Sequence, residues 1–141
     1  AMINRNISFI VKDQAPLMMR PSDTVQTACQ QMCERRVGAV LVTDAHAHLK
    51  GIFTGRDAVQ VLARDANAAH VHLSEVMTPK PDTIEPERTA IEALRMMCDG
   101  GYRHVPVVKD GKVVGIVSRS DFKGLELDQF EDELSLWERI C

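Results

Sequence analysis

Aromatic residues and long apolar runs are scarce in this sequence. Aromatic side chains account for 4% of the 141 residues, with one tryptophan and one tyrosine. No apolar run approaches the roughly 20 residues of a membrane-spanning helix, and the N-terminus lacks the apolar core of a signal peptide. We therefore expect a globular protein with no membrane partner, and an aliphatic core in which the seven methionines take part.

Cysteine is also sparse, and the spacing of the cysteines gives no sign of a disulfide or metal-binding pair. The four cysteines, at positions 29, 33, 98 and 141, form no C-x-x-C motif. Cys29, Cys33 and Cys98 fall at apolar helical positions, which favours buried reduced thiols over disulfides. Because reduced thiols are the rule in the cytoplasm, we expect a cytoplasmic protein.

Concentrated basic charge is absent, which argues against nucleic-acid binding. The net charge is −3, whereas a nucleic-acid footprint requires a basic face. The acidic excess lies in residues 126–141, which contain six acidic residues and one arginine. The rest of the chain therefore keeps enough positive charge for local phosphate pockets.

Sequence signals for catalysis and for metal binding are missing or weak. No Walker loop and no G-x-G-x-x-G motif is present, and no nucleophile has a base beside it, so we expect no enzyme activity. The pairs His46-x-His48 and His70-x-His72 invite a zinc interpretation, but neither cysteines nor carboxylates cluster beside them. Since zinc sites need three or four ligands, we interpret these histidines as loop and linker residues and expect no metal site.

A repeat with a spacing of about 65 residues organises the chain. Two stretches place apolar residues at i, i+3, i+4, i+7 and i+8, which is one face of a helix. Thr89 with Glu92 predicts a capping box for the second helix. Asp23 with Gln26 predicts a similar start for the first. The repeated apolar positions are Val25, Ala28, Cys29, Met32 and Cys33, and then Ala90, Ala93, Leu94, Met97 and Cys98.

Each of these helices leads into an apolar strand and a hairpin. The strands are predicted at Ala39–Thr43 and Val105–Lys109, and the second hairpin turns at Asp110-Gly111, a dipeptide typical of type I′ turns. The predicted unit is strand, helix, strand, strand, helix, used twice. Its remaining parts are extended segments near Ser8–Val11 and Val76–Thr78, and short helices from Asp57 to about Arg64 and from Asp121 to about Leu127.

Both hairpins end in the same motif, a strand-end hydroxyl followed three residues later by a carboxylate. It reads G-I-F-T-G-R-D at residues 51–57 and G-I-V-S-R-S-D at residues 115–121. A carboxylate has only acceptors and suits the vicinal hydroxyls of a ribose, while a hydroxyl at a helix N-terminus suits a phosphate. The motifs therefore predict nucleotide binding, although Asp57 and Asp121 would also fit plain helix-start charges.

Two such units resemble a tandem pair of cystathionine-β-synthase-type (CBS) domains. Y-R-H-V-P-V-V at residues 102–108 is similar to the strand signature of that family, and V-M-T-P at residues 76–79 looks like its usual lead-in. The resemblance covers residues 8–128 and implies an α+β fold, in which two β-α-β-β-α repeats pack as a pseudo-twofold pair with two clefts between them. The expected segments are CBS repeat 1 at 8–66, CBS repeat 2 at 71–128 and an acidic amphipathic C-terminal helix at 129–141.

The resemblance also implies which residues bind a ligand. The carboxylates at 57 and 121 match ribose-binding residues, and the hydroxyls at 54 and 118 match groups near the phosphates. Arg103 and His104 stand where the family has phosphate-binding cations, whereas repeat one has Gly38 and Ala39 there. Adenine is expected near residues 12–17 and 77–82. The candidate ligand-binding residues are Thr54, Arg56, Asp57, Arg103, His104, Ser118, Arg119, Ser120 and Asp121.

The function that the resemblance implies is regulation. In this family the clefts bind adenosine-containing ligands such as AMP, ADP, ATP, NAD or S-adenosylmethionine, and the module does no chemistry itself. We therefore predict a ligand-sensing module with an adenine nucleotide as its regulatory ligand and an effector protein that the sequence does not identify. The alternatives are a ligand-independent interaction scaffold and, third, a fragment of an enzyme subunit.

The C-terminal segment carries a narrow apolar stripe. Leu127, Phe130, Leu134 and Trp137 recur at i, i+3, i+7 and i+10 on an otherwise acidic segment. Tandem pairs that resemble this one commonly form disc-like dimers of four repeats. We predict a homodimer whose tail helix contributes to the interface or docks a partner, the alternative being a tail that folds back on its own repeats.

Overall fold

A computed structural model describes residues 4–122 and 128–132 and divides the chain into two compact units. The first-repeat unit comprises residues 15–81 with 110–113. The second-repeat unit comprises residues 4–14, 82–109 and the described part of 114–141. Residues 4–14 thus precede the first repeat in the chain but belong to the second-repeat unit.

Helices and strands are interspersed along the described chain, which confirms the predicted mixed α+β class. Short 3-10 turns cover Ala68–His70 and Arg119–Asp121. The strands are β1 (Met18–Met19), β2 (Ala39–Thr43), β3 (Leu49–Thr54), β4 (Thr78–Pro79), β5 (His104–Lys109) and β6 (Lys112–Ser118). The helices are α1 (Ile7–Val11), α2 (Val25–Arg35), α3 (Gly55–Arg64), α4 (Leu73–Val76) and α5 (Ala90–Gly100), and residues 128–132 are also helical.

The first-repeat unit is built on a four-stranded sheet with the order β1-β2-β3-β4. β1 runs parallel to β2, and α2 connects them, so these elements form a β-α-β unit. β2 and β3 form an antiparallel hairpin, and β4 pairs antiparallel with β3. All five residues of β2 are buried. This central position explains why the strand reads as a nearly continuous apolar run.

The second hairpin, β5–β6, repeats part of this pattern. It turns at Asp110-Gly111, where φ is 53° and 80°. Both values are positive, as a type I′ turn requires, so the predicted turn is confirmed. Ile84 forms a parallel bridge with Val107. The equivalent pair 65 positions earlier, Met19 with Val42, lies in the parallel β1–β2 pairing, so the sequence repeat is also a repeat of strand pairing.

The predicted helix starts are correct for α5 and wrong for α2. Thr89 N donates to Glu92 Oε2 at 2.8 Å, and Glu92 N donates to Thr89 Oγ1 at 3.3 Å, which is the expected capping box. In α2 the N-cap is Thr24, whose Oγ1 accepts a hydrogen bond from Thr27 N at 3.2 Å. Asp23 instead accepts from a backbone amide three residues earlier, because its side chain closes the preceding turn.

The segment predicted to be extended at Ser8–Val11 lies in helix α1. Ile7 and Val11, four residues apart, are both buried, so the helix turns one face toward the core of the second-repeat unit. Gly115 permits this packing, because a Cβ atom there would lie 2.6 Å from Val11 Cβ. The prediction was wrong because a short apolar run does not distinguish strand from helix by its period.

The second lead-in is partly helical and partly extended. Val76 ends α4, and β4 comes next and lies along β3 at Ile52. Gln14 occupies the corresponding place on β6. Its side-chain amide donates to Ile116 O at 2.9 Å and accepts from Ile116 N at 3.0 Å. On β6 a single side chain thus supplies backbone hydrogen bonds of the kind that strand β4 supplies on β3.

Each unit has a core of its own, filled mainly by aliphatic side chains and methionine. Phe53 and Leu73 are fully buried in the first-repeat unit, and Leu94 and Met97 are almost fully buried in the second. Among the residues that the structure describes, every helix is too short or too polar to span a bilayer.

The cysteines do not all behave as predicted. Cys29 and Cys33 are free thiols, and burial, followed by the neighbouring Cys33, raises the pKa of the Cys29 thiol. Cys98, however, is disulfide-bonded. The expectation of reduced thiols is therefore wrong for Cys98.

One residue of the C-terminal stripe lies in the described part of the chain. Phe130 is 2% exposed and packs in the core of the second-repeat unit. This is the contact expected if the tail folds back on its own repeats. The other stripe residues, Leu127, Leu134 and Trp137, lie outside the described residues.

Candidate functional site

The first motif lies where β3 ends and α3 begins. Thr54 is the N-cap of α3, and its Oγ1 accepts a hydrogen bond from Asp57 N at 3.2 Å. Asp57 Oδ2 accepts from Thr54 N at 2.9 Å. This reciprocal pair is a capping box. The start of the helix therefore holds the hydroxyl and the carboxylate side by side.

The second motif repeats this arrangement at the end of β6. Asp121 Oδ2 accepts hydrogen bonds from Ser118 N at 2.7 Å and from Ser118 Oγ at 3.3 Å. Ser118 Oγ also lies 2.8 Å from Ser120 Oγ. The helical turn at the second motif is much shorter than α3. It ends at Asp121, and Phe122 is extended. The two motifs thus share their local contacts but differ in the length of the helix that each one starts.

Capping leaves acceptor capacity on both carboxylates. A carboxylate offers about four lone-pair sites. Within residues 4–122 and 128–132, the Asp57 side chain accepts one hydrogen bond and the Asp121 side chain accepts two, all at Oδ2. The helix-start and ribose-binding interpretations are therefore compatible, because Oδ1 of each residue has no partner in the described part of the chain.

A backbone hydrogen bond joins each motif to the start of the preceding strand. Arg119 N donates to Arg103 O, and Gly55 N donates to Gly38 O, both at 3.0 Å. In the second-repeat unit this bond brings the Arg103-His104 segment beside the motif. The equivalent segment of the first-repeat unit carries no charge, since it consists of Gly38 and an alanine.

His104 is half-buried and close to two charged residues. Desolvation lowers the pKa of His104, the positive charge of Arg103 lowers it further, and the carboxylate of Asp121 partly opposes both effects. A pKa below the ordinary histidine value of about 6.5 favours the neutral imidazole at pH 7. A neutral ring can both donate and accept a hydrogen bond, and the role of His104 beside a phosphate stays a prediction.

Three arginines at the motifs supply the positive charge. Arg56 and Arg103 are exposed, and Arg119 is half-buried. None of the three side chains makes a hydrogen bond or an ion pair with any residue that the structure describes. An arginine side chain is always charged and carries five donors. These guanidinium groups are therefore available to an anion, two of them at the second motif and one at the first.

Two contacts in the second-repeat unit had no counterpart in the sequence interpretation. Arg5 Nη2 donates to Asp121 O at 2.9 Å across 116 positions of the chain. Tyr102 Oη donates to Asp82 Oδ2 at 2.8 Å. Burial, followed by this hydrogen bond, raises the pKa of Tyr102 to about 12. Both contacts join distant parts of the chain, so no local pattern indicates them.

The histidine pair near residue 47 belongs to the first hairpin loop. Asp44 Oδ1 accepts from His46 N at 2.8 Å and from His48 N at 3.0 Å, and Asp44 Oδ2 lies 3.2 Å from His48 Nδ1. Although desolvation opposes them, these contacts lower the pKa of Asp44 to about 2. Among the described residues, no group of three or more His, Cys, Asp and Glu side chains is placed to hold a metal ion.

Comparison with known families covers both copies of the hydroxyl–carboxylate motif. The model of the CBS domain matches residues 4–64 and 73–127. The chain belongs to the CBS domain family. Each matched segment contains one copy of the hydroxyl–carboxylate motif, so the resemblance predicted from the sequence is confirmed.

Relatives of this CBS domain pair include a much longer protein. CBSCBSPB2, a CBS domain-containing protein of Arabidopsis thaliana, is 42% identical over 102 residues, which are 72% of this chain and 19% of that protein. The chain therefore spans about a fifth of the length of this relative.

Solved structures that share the fold include two CBS domain proteins. The CBS domain protein PAE2072 from Pyrobaculum aerophilum, in complex with AMP, has a TM-score of 0.81 at 20% identity over 91% of this chain and 99% of that one. The CBS domain pair of MJ0100, in complex with 5′-methylthioadenosine and S-adenosyl-L-methionine, has a TM-score of 0.77 at 21% identity over 93% and 98%. At these identities the likeness is one of fold.

Proposed function

We propose that this CBS domain pair is a cytoplasmic regulatory module that senses an adenosine-containing ligand and has no catalytic activity of its own. The observation that carries the proposal is the duplicated motif, in which Asp57 and Asp121 each keep a carboxylate oxygen that has no partner within residues 4–122 and 128–132. The ligand we assign is an adenine nucleotide, AMP, ADP or ATP, with NAD and S-adenosylmethionine as further adenosine compounds. AMP and S-adenosyl-L-methionine are bound by two proteins of the same fold.

The roles of the motif residues follow from their chemistry. Asp57 and Asp121 accept hydrogen bonds from the ribose hydroxyls, because a carboxylate has no donor of its own to clash with them. At the second motif, Arg103 and Arg119 contact the phosphates, together with the hydroxyls of Ser118 and Ser120 and the neutral ring of His104. At the first motif, Thr54 and Arg56 are the groups available for this purpose.

Calorimetric titration separates a sensor from a ligand-independent scaffold. AMP, ADP, ATP, NAD and S-adenosylmethionine are each titrated into the chain at one fixed salt concentration. Micromolar binding of any of them supports the sensor, with GMP as the matched control for the base. Absence of binding to all five at millimolar ligand would overturn the proposal and favour the scaffold.

The second motif should bind phosphate-bearing ligands more tightly than the first. We expect Arg103→Ala to weaken AMP binding by roughly twofold to fivefold and adenosine binding much less, since an exposed ion pair contributes up to about 1 kcal/mol. The loss should shrink in 1 M salt, where the Debye length falls to about 3 Å. Calorimetry with both ligands at two salt concentrations tests this. Equal losses for adenosine and AMP would mean that Arg103 acts structurally.

An interaction between two copies of the chain is part of the same proposal. α3 contains no buried residue, and its Val59 and Leu62, one turn apart, are 68% and 63% exposed. Full burial of such a side chain contributes about 1.5–3 kcal/mol, so this helix can gain stability by packing against α3 of a second copy. We therefore assign the homodimer contact to α3, since Phe130 of the tail is already buried in its own unit.

The dimer prediction is tested by removing the apolar face of α3. We expect the double variant Val59→Ser with Leu62→Ser to be monomeric at micromolar concentration while the parent chain is dimeric, because the polar face loses the burial that joins the copies. Light scattering measures the mass. Val37→Ser is the matched control, as Val37 is also an exposed valine of the first-repeat unit. A double variant as dimeric as the parent, or a parent that is monomeric with and without AMP, would contradict the assignment.

A further inference from the structure

Arg5 contacts the main chain of a candidate ligand-binding residue. Its Nη2 atom donates a hydrogen bond to the carbonyl oxygen of Asp121 at 2.9 Å, and both residues are half-buried. Both belong to the second-repeat unit. The contact therefore links the N-terminal segment of this unit to the residue proposed to bind the ribose.

The carbonyl of Asp121 needs such a donor because the helical turn stops there. In α3 the helix continues for seven residues beyond Asp57, so the Asp57 carbonyl enters the regular i to i+4 ladder. A helical hydrogen bond to the Asp121 carbonyl would require helical residues after it, but Phe122 is extended, with φ −92° and ψ 137°. Arg5 thus supplies at the second motif a hydrogen bond that the helix itself supplies at the first.

The backbone of Arg5 is held in place by the start of α5. Ala90 N donates to Arg5 O at 2.7 Å, and Ile91 N donates to Asn4 Oδ1 at 3.2 Å. These bonds satisfy two of the first amides of α5, which have no partner inside the helix. A shift of this segment would leave them without partners. The Arg5 side chain therefore extends from a fixed point of the unit.

We propose that Arg5 is a positioning residue of the Asp121 site, which holds the main chain of Asp121 so that its carboxylate meets the ribose hydroxyls. The assignment rests on the proposed function and adds a residue outside the repeated motif. The capping contacts from Ser118 orient the side chain, and Arg5 fixes the backbone that carries it. Asp57 needs no equivalent residue, because α3 fixes its backbone.

A ligand pair that differs only in the ribose hydroxyls tests this role. AMP and 2′,3′-dideoxy-AMP are titrated into chains that carry Asp57→Asn, so that the Asp121 site is measured alone. We expect Arg5→Met, which keeps an unbranched apolar stem but removes the donors, to weaken AMP binding about tenfold, since one charge-assisted hydrogen bond corresponds to about that factor. Binding of dideoxy-AMP should be unchanged. Arg5→Lys should restore part of the preference for AMP, because it keeps a charged donor.

The control is Arg88→Ala, which removes an exposed arginine of the same unit that pairs with Glu92 at 3.4 Å. Both affinities should stay at the parent values. Equal losses of affinity for AMP and dideoxy-AMP in Arg5→Met would overturn the positioning role. The role would also be overturned if the parent prefers AMP over dideoxy-AMP and Arg5→Met keeps that preference unchanged. A parent chain that binds neither nucleotide would instead overturn the proposed function, and the assignment of Arg5 with it. Melting temperatures of all variants identify any loss of fold.

Discussion

Asp121→Ala should weaken binding of adenine nucleotides at the second-repeat unit by roughly 2–4 kcal/mol, because it removes two charge-assisted hydrogen bonds to the ribose. The same change should cost about 1 kcal/mol of folding stability, since Asp121 also caps the turn through the 2.7 Å bond from Ser118 N. Titration calorimetry measures the first effect and urea unfolding the second. A dissociation constant equal to that of the parent for every adenine nucleotide would remove Asp121 from the site.

Asp121→Asn separates ligand binding from capping. The amide oxygen of asparagine still accepts the hydrogen bond from Ser118 N, but its NH₂ group donates and cannot accept from a ribose hydroxyl. We expect folding stability close to that of the parent and a loss of affinity similar to that in Asp121→Ala. A variant that binds normally would mean that the carboxylate is needed for the turn alone. Asp57→Asn provides the matched change at the first motif.

The parts of the fold that could be predicted are those whose chemistry is local. The capping box of α5 depends on a hydroxyl and a carboxylate three residues apart, and both are visible in the sequence at Thr89 and Glu92. The turn at Asp110-Gly111 depends on two residues that tolerate positive φ. The repeat also recurs in strand pairing, since Met19 and Ile84 make equivalent parallel bridges, but no strand was predicted at either residue.

The parts that could not be predicted depend on contacts between distant residues. α1 is five residues long, and its helical state follows from packing Val11 against Gly115, which the local pattern does not contain. Gln14 pairs with Ile116 for the same kind of reason. In both cases the partner residue is about a hundred positions away, so the period of the apolar residues does not predict the contact.

The candidate site divides in the same way. The spacing of Ser118 and Asp121 identifies a strand-to-helix turn, because the hydrogen bonds of that turn involve only four consecutive residues. The lowered pKa of His104 was not predictable, since its main cause is desolvation in the folded unit. The contact of Arg5 was not predictable either, because it compensates for a helix that ends after one turn. The sequence therefore indicates which groups form the candidate site better than it indicates which contacts hold them in place.

Phe130→Ala should reduce the free energy of unfolding by about 3–5 kcal/mol, the usual cost of removing a buried aromatic side chain. Phe130 is 2% exposed and packs with the core of the second-repeat unit. Phe9→Ala is the matched control, since Phe9 lies in the same unit, is 62% exposed and should cost about 0.5 kcal/mol or less. Urea unfolding monitored by circular dichroism measures both variants.

The same pair of variants decides between the two interpretations of the C-terminal stripe. If Phe130 belongs to the core of its own unit, Phe130→Ala lowers stability equally at low and high protein concentration, because the loss lies within one chain. If the stripe instead joined two copies, the variant would shift the monomer–dimer equilibrium, and its stability would depend on protein concentration. Light scattering at several concentrations beside the unfolding curves distinguishes these results. A Phe130→Ala chain that unfolds with the parent midpoint but has lost the dimer would contradict the burial of Phe130 in its own unit and return the dimer contact to the tail.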